Sequence, residues 1–122
     1  AGTAIENSML GLAHSCANPL TAHFGIVHGQ AVGTMLPHVI AFNERDPAAA
    51  DIYASLAGGR GIADRVKFHL GCCAMDFSLA ALGVEESMIP ALAVEAAAQW
   101  TARFNPVPVT PALIEDVYRA AL

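Results

Sequence analysis

Apolar positions along this chain recur at spacings of three and four residues and almost nowhere alternate with period two. Val, Ile and Thr are scattered, whereas Ala, Leu, Met and Glu dominate, so the pattern predicts an all-α protein. The first periodic stretch covers about residues 3–23, with an apolar stripe at Ile5, Met9, Leu12 and Cys16. Pro19 should bend it, because its ring crowds the carbonyl of Ser15 and it has no N–H. A second stretch runs from His28 to near Asn43, with Pro37 expected to divide it in two. Asp46-Pro47 reads as an N-cap followed by Pro at the first helical position, opening a helix to about Leu56 that closes at Ala57-Gly58-Gly59. From Ile62 to Leu82 the pattern is helical again, with Val66, Leu70, Cys73, Phe77 and Ala81 inward, Gly71 as a weak point and Gly83 as the stop. Glu85-Glu86-Ser87 opens a long helix from Met88 to Arg103, its acids near the positive helix end. After a loop at 105–109, Thr110-Pro111 starts a last helix carrying Leu113, Val117 and Tyr118 inward. The expected architecture is one domain, 1–122, a bundle of five to seven helices without repeats.

Composition adds a surface to this picture. Charged residues make up 14% of the 122, against about 25% in a typical soluble domain, and apolar residues make up 55%. That balance implies a face that packs on another domain or on a second copy of the chain. The net charge of -5 argues against a nucleic-acid partner. Three cysteines, two of them adjacent, imply no disulfide framework and fit a reducing, cytoplasmic setting. The N-terminus lacks a signal-peptide pattern, and the longest apolar stretch, Ala31 to Phe42, is too short and too interrupted to span a membrane. Gly58, Gly59 and Gly61 lack the surrounding pattern of a phosphate loop and read as a helix-terminating turn.

Candidate chemistry concentrates in residues 11–30, which hold three of the five histidines and Asn18. Asn7, Gly11, His14 and Asn18 share one helical face, and His28 opens the next helix. Two imidazoles on facing helix ends can meet at one ion; the plainer alternative is two partly buried histidines satisfied by backbone groups. His23 reads as a solvated or capping residue or a spare ligand, His38 as a packing residue, and His69 as a surface residue. Asp51 and Asp76 read as solvated carboxylates, and the four methionines as core filler.

Residues 11–43, GLAHSCANPLTAHFGIVHGQAVGTMLPHVIAFN, resemble the signature of the iron-containing (group III) alcohol dehydrogenases. That signature is a helix with H-x-x-x-H-P-L-G, a P-H-G turn, and an apolar helix ending in L-P-H-V and Asn. Residues 104–121, FNPVPVTPALIEDVYRAA, resemble the family's closing helix more weakly. The resemblance implies the family's helical C-terminal domain, with His14 and His28 as ligands of a divalent metal, iron(II) or zinc. It implies alcohol–aldehyde interconversion with NAD(P), bound mainly by an N-terminal nucleotide-binding domain. It places Asn18 where the family has a His near the nicotinamide that helps move protons; Asn hydrogen-bonds but does not titrate near neutral pH. Thr21 replaces the family's Gly, and Val27 its Pro. The family's two further ligands, an Asp and a His, lie upstream of the signature. The 122 residues hold no dinucleotide fingerprint and no strand–helix alternation. The expectation is therefore a metal-binding domain that is inactive alone and works with a nucleotide-binding partner domain. The competing expectation is a free-standing helical module that dimerises without catalysis.

Overall fold

The computed structural model describes residue 3, residues 9–57 and residues 61–122. Among these there are six α-helices and no strand. They are α1 (Leu12–Phe24), α2 (His28–Asn43), α3 (Pro47–Ala57), α4 (Ile62–Gly71), α5 (Ile89–Ala98) and α6 (Pro111–Arg119). Short 3-10 turns, Glu86–Met88 and Trp100–Phe104, flank α5.

Helix α1 starts later than its stripe suggests: Met9 to Gly11 are not helical, and Met9 is exposed. Gly11, a poor helix former, takes an extended conformation at the N-cap. Its carbonyl accepts from the backbone of His14 and Ser15. Ile5 lies outside the described residues. The helix runs through Pro19 and stops at Gly25, whose φ of 64° is the left-handed C-cap conformation that glycine adopts without strain. Helix α2 has the expected limits, but Pro37 does not divide it. One missing N–H is outweighed by the burial of Thr34, Met35, Val39 and Ile40 on either side. Asp46 caps α3 as expected, its Oδ1 accepting from the Ala49 N–H at 2.9 Å; Gly58 and Gly59 lie outside the described residues.

Two expected helices are shorter than read. Helix α4 ends at Gly71, and residues 72–85 form turns and extended chain, with Gly83 at φ 83°. Their polar groups bond to the distant C-terminus instead. The Leu79 N–H donates to the Ala121 carbonyl at 2.9 Å, and the Ser78 hydroxyl donates to the Leu122 carbonyl at 2.6 Å. Leu79 is fully buried, whereas Cys73 and Ala81, expected inward, are exposed. Phe77 lies against Gly33 of α2, where an added Cβ would stand 3.0 Å from its ring. The expected 88–103 helix breaks at Gln99, which is extended (φ -65°, ψ 134°) between α5 and the following 3-10 turn. In α6, Thr110 accepts from the Leu113 N–H, and Ile114, Val117 and Tyr118 face inward.

The core joins Leu12, Cys16 and Leu20 of α1 to Met35 and Phe42 of α2, Leu92 and Ala96 of α5, and Ile114 and Tyr118 of α6. The buried Tyr118 hydroxyl donates to the Cys16 carbonyl at 2.7 Å, tying the last helix to the first. Desolvation pushes the Cys16 thiol up to about 12 and raises the Tyr118 phenol as well. Helix α3 is less covered, and Ile52, Leu56 and, on α4, Phe68 face outward. No helix among the described residues is long and apolar enough to cross a membrane.

Candidate metal centre

The connection of α1 to α2 is three residues long, Gly25 to Val27, with Ile26 buried as its anchor. His14 sits in the first turn of α1 and His28 is the first residue of α2. The fold brings their rings together: the centroids are 5.4 Å apart and the planes are tilted by 50°. His14 is partly buried and His28 exposed, so the pair opens outward. Desolvation, and secondly the neighbouring His28, lower the pKa of His14 and favour its neutral form. A neutral imidazole keeps a lone pair for an ion.

Asn18 lies one helical turn beyond His14, and its Nδ2 donates to Oε1 of Gln99 at 3.1 Å. Beside it, the hydroxyls of Ser15 and Thr101 share a buried hydrogen bond of 2.7 Å. These two contacts hold the Trp100–Phe104 turn against α1. Sequence reading did not single out Gln99, because it lay unremarked inside a helix expected to run from 88 to 103.

The other histidines stand apart from the pair. His23 is half a turn round α1 from His14 and pairs with Glu95 of α5 at 2.9 Å on the surface. His38 is partly buried in α2, and burial followed by Lys67 lowers its pKa. His69 is exposed, edge-on to Phe68, and Asp51 and Asp76 are exposed too. No group of three or more metal-ligating side chains exists among the described residues.

The pair fits half of a metal shell. Two imidazoles on one tetrahedral ion, at metal–nitrogen distances of about 2.0–2.1 Å, hold their ring centroids about 5 Å apart. His14 and His28 match that spacing. Catalytic sites usually take three protein ligands and an open position, so these two residues need at least one more from elsewhere.

An all-helical domain with a histidine pair at the junction of two helices is the class that fold and site define. The pattern of the Fe-containing alcohol dehydrogenase family, C-terminal, matches residues 1–122, and the chain belongs to that family. It is 30% identical over 140 residues to 1-propanol dehydrogenase PduQ of Salmonella typhimurium, covering 100% of this chain and 38% of that protein. To long-chain-alcohol dehydrogenase 1 of Geobacillus thermodenitrificans it is 28% identical over 135 residues, covering 99% of this chain and 34% of that one. Its fold resembles the crystal structure of 1,3-propanediol oxidoreductase, with a TM-score of 0.76, 28% identity and coverage of 93% of this chain and 33% of that one. The chain thus spans little more than a third of the length of these relatives.

Proposed function

We propose that His14 and His28 are two ligands of a divalent ion, iron(II) or zinc, in an NAD(P)-dependent enzyme that interconverts a small alcohol and its aldehyde. The observation that carries this reading is the 5.4 Å separation of the two rings, on the helices where the family signature falls. The remaining ligands and the nucleotide site come from a partner domain, corresponding to the part of the relatives that this single helical domain does not span. A bound ion would polarise the substrate oxygen and lower the pKa of its hydroxyl. The chain's own residues hold that ion, and Asn18 places an amide beside it. The 122 residues alone are inactive in this reading, and the working place is the cytoplasm.

Calorimetric titration with zinc tests the proposal. The chain should bind weakly, and affinity should fall as pH drops through about 6.5, where an ordinary imidazole protonates. His14→Ala and His28→Ala should each abolish binding, whereas His69→Ala should leave it unchanged. If His14→Ala binds zinc as well as the parent, the site is wrong. The outward-facing Ile52, Leu56 and Phe68 favour the second reading, a helical module that pairs through this face without catalysis. A chain that dimerises but binds no zinc would support that reading instead.

A further inference from the structure

Asn18 can offer either an amide N–H or a carbonyl oxygen to whatever occupies the space beside His14, and in the observed pairing with Gln99 it is the N–H that is taken. The Nδ2 group is engaged by Oε1 of Gln99, while Oδ1 has no hydrogen-bond partner among the described residues. Gln99 reaches Asn18 because the backbone leaves the helix there, with ψ at 134°. The buried Ser15–Thr101 bond and the burial of Ala102 also fasten this turn to α1. A second observation lies on the same face of α1. His14, Asn18 and Thr21 fall within about 60° of one another around the helix axis, and Thr21 Oγ1 is buried without a hydrogen-bond partner. Polar capacity on this face is therefore left unmet within the described chain, and a buried hydroxyl without a partner is costly.

We propose that Gln99 is a positioning residue: by accepting the hydrogen bond of the Asn18 amide, it holds Asn18 Oδ1 toward the space beside His14 and His28, where that oxygen accepts a hydrogen bond from the hydroxyl of a bound alcohol. The inference rests on the function proposed above. A carboxamide oxygen accepts a hydrogen bond over the whole working pH range without taking up a proton. Left unheld, an Asn amide turns freely between its two faces, and half of its orientations would present N–H to the ligand. Gln99 thus acts on the ligand only through Asn18.

The test uses the intact protein that carries this chain, with its divalent ion. Gln99→Leu and Gln99→Ala should each raise KM for a primary alcohol about tenfold and leave kcat within about threefold. Gln99→Glu keeps an oxygen acceptor for Nδ2 and should restore KM to within about threefold of the parent. In an Asn18→Ala background, Gln99→Leu should change KM by less than about twofold, because its route is gone. The proposal is overturned if Gln99→Leu leaves KM unchanged, if its effect persists in Asn18→Ala, or if Gln99→Glu behaves like Gln99→Leu. A readout independent of turnover is the Asn18 side-chain amide in the 15N-labelled protein. It should exchange hydrogen with solvent about tenfold more slowly than in Gln99→Leu, and equal rates would overturn the positioning role. Lack of any dehydrogenase turnover or zinc binding in the parent would instead count against the proposed function, and the amide exchange would still decide the role of Gln99.

Discussion

Helix α1 carries two titratable positions two residues apart, His14 and Cys16, that meet opposite environments. At Cys16 the helix is sealed: the residue is fully buried and its carbonyl accepts the Tyr118 hydroxyl at 2.7 Å. At His14, and at Asn18 one turn further along, the same helix is only partly covered, and its side chains meet another imidazole and a carboxamide instead of a packed core. Burial acts on both sides in the same physical way, by penalising charge. Its consequences differ with the group. A desolvated thiol becomes an inert apolar filler, whereas a desolvated imidazole becomes a neutral base with a lone pair to offer. One helix therefore contributes a sealed core residue from one side and a partly covered, neutral imidazole from the other.

The largest expected effect breaks the sealed side. Tyr118→Ala should cost about 3–5 kcal/mol in urea unfolding, as large aromatic truncations in a core do. Tyr118→Phe removes only the hydroxyl and should cost about 1 kcal/mol. His14→Ala, on the open side, should change stability by less than about 1 kcal/mol while removing zinc binding. A His14→Ala variant as unstable as Tyr118→Ala would erase the distinction between the two sides. Thiol reactivity sharpens it in a second way. At pH 8 a maleimide reagent should modify the exposed Cys72 and Cys73 within minutes, while Cys16, with its thiol pushed up to about 12, should react only on unfolding. Mass spectrometry counts the labels, and three labels on the folded chain would contradict the sealed environment.

The helices that bear the histidine pair were legible because their signals are local. The apolar spacing marks α2, and Asp46-Pro47 marks the start of α3. The spacing of His14 and His28 predicted that they could meet, and the fold brings them together. What sequence periodicity could not express is long-range hydrogen bonding. Residues 72–85 continue an apolar stripe, yet Ser78 and Leu79 bond to the last two residues of the chain and hold the segment out of a helix. The break at Gln99 is of the same kind. Its side chain pairs with Asn18 across 81 residues, and no neighbour in the sequence announces it. The persistence of α2 through Pro37 is the reverse case: tertiary burial overrode a local helix breaker.

The smallest expected effect is a dependence of stability on pH, and it also tests the open side. His14 and His38 both have folded-state pKa values below the ordinary 6.5, chiefly because burial disfavours the imidazolium. In the unfolded chain each titrates near 6.5. Between the folded value and 6.5 the unfolded state therefore binds more protons, so stability rises with pH across that window. The contribution is present above about pH 6.5 and is lost as pH falls through the folded values. Melting temperature in a chelator-containing buffer should accordingly decline between pH 7 and pH 5. His38→Gln should flatten part of that decline, and Lys67→Gln should shrink it by a smaller amount, because burial remains while the neighbouring positive charge is gone. His14→Gln should remove a further part, since both burial and His28 depress its pKa. Adding zinc should steepen the decline for the parent chain, because the ion binds only the neutral imidazoles of the folded state, and should do nothing for His14→Gln. A melting temperature that stays level or rises from pH 7 to pH 5 would mean that neither imidazole is held neutral by the fold.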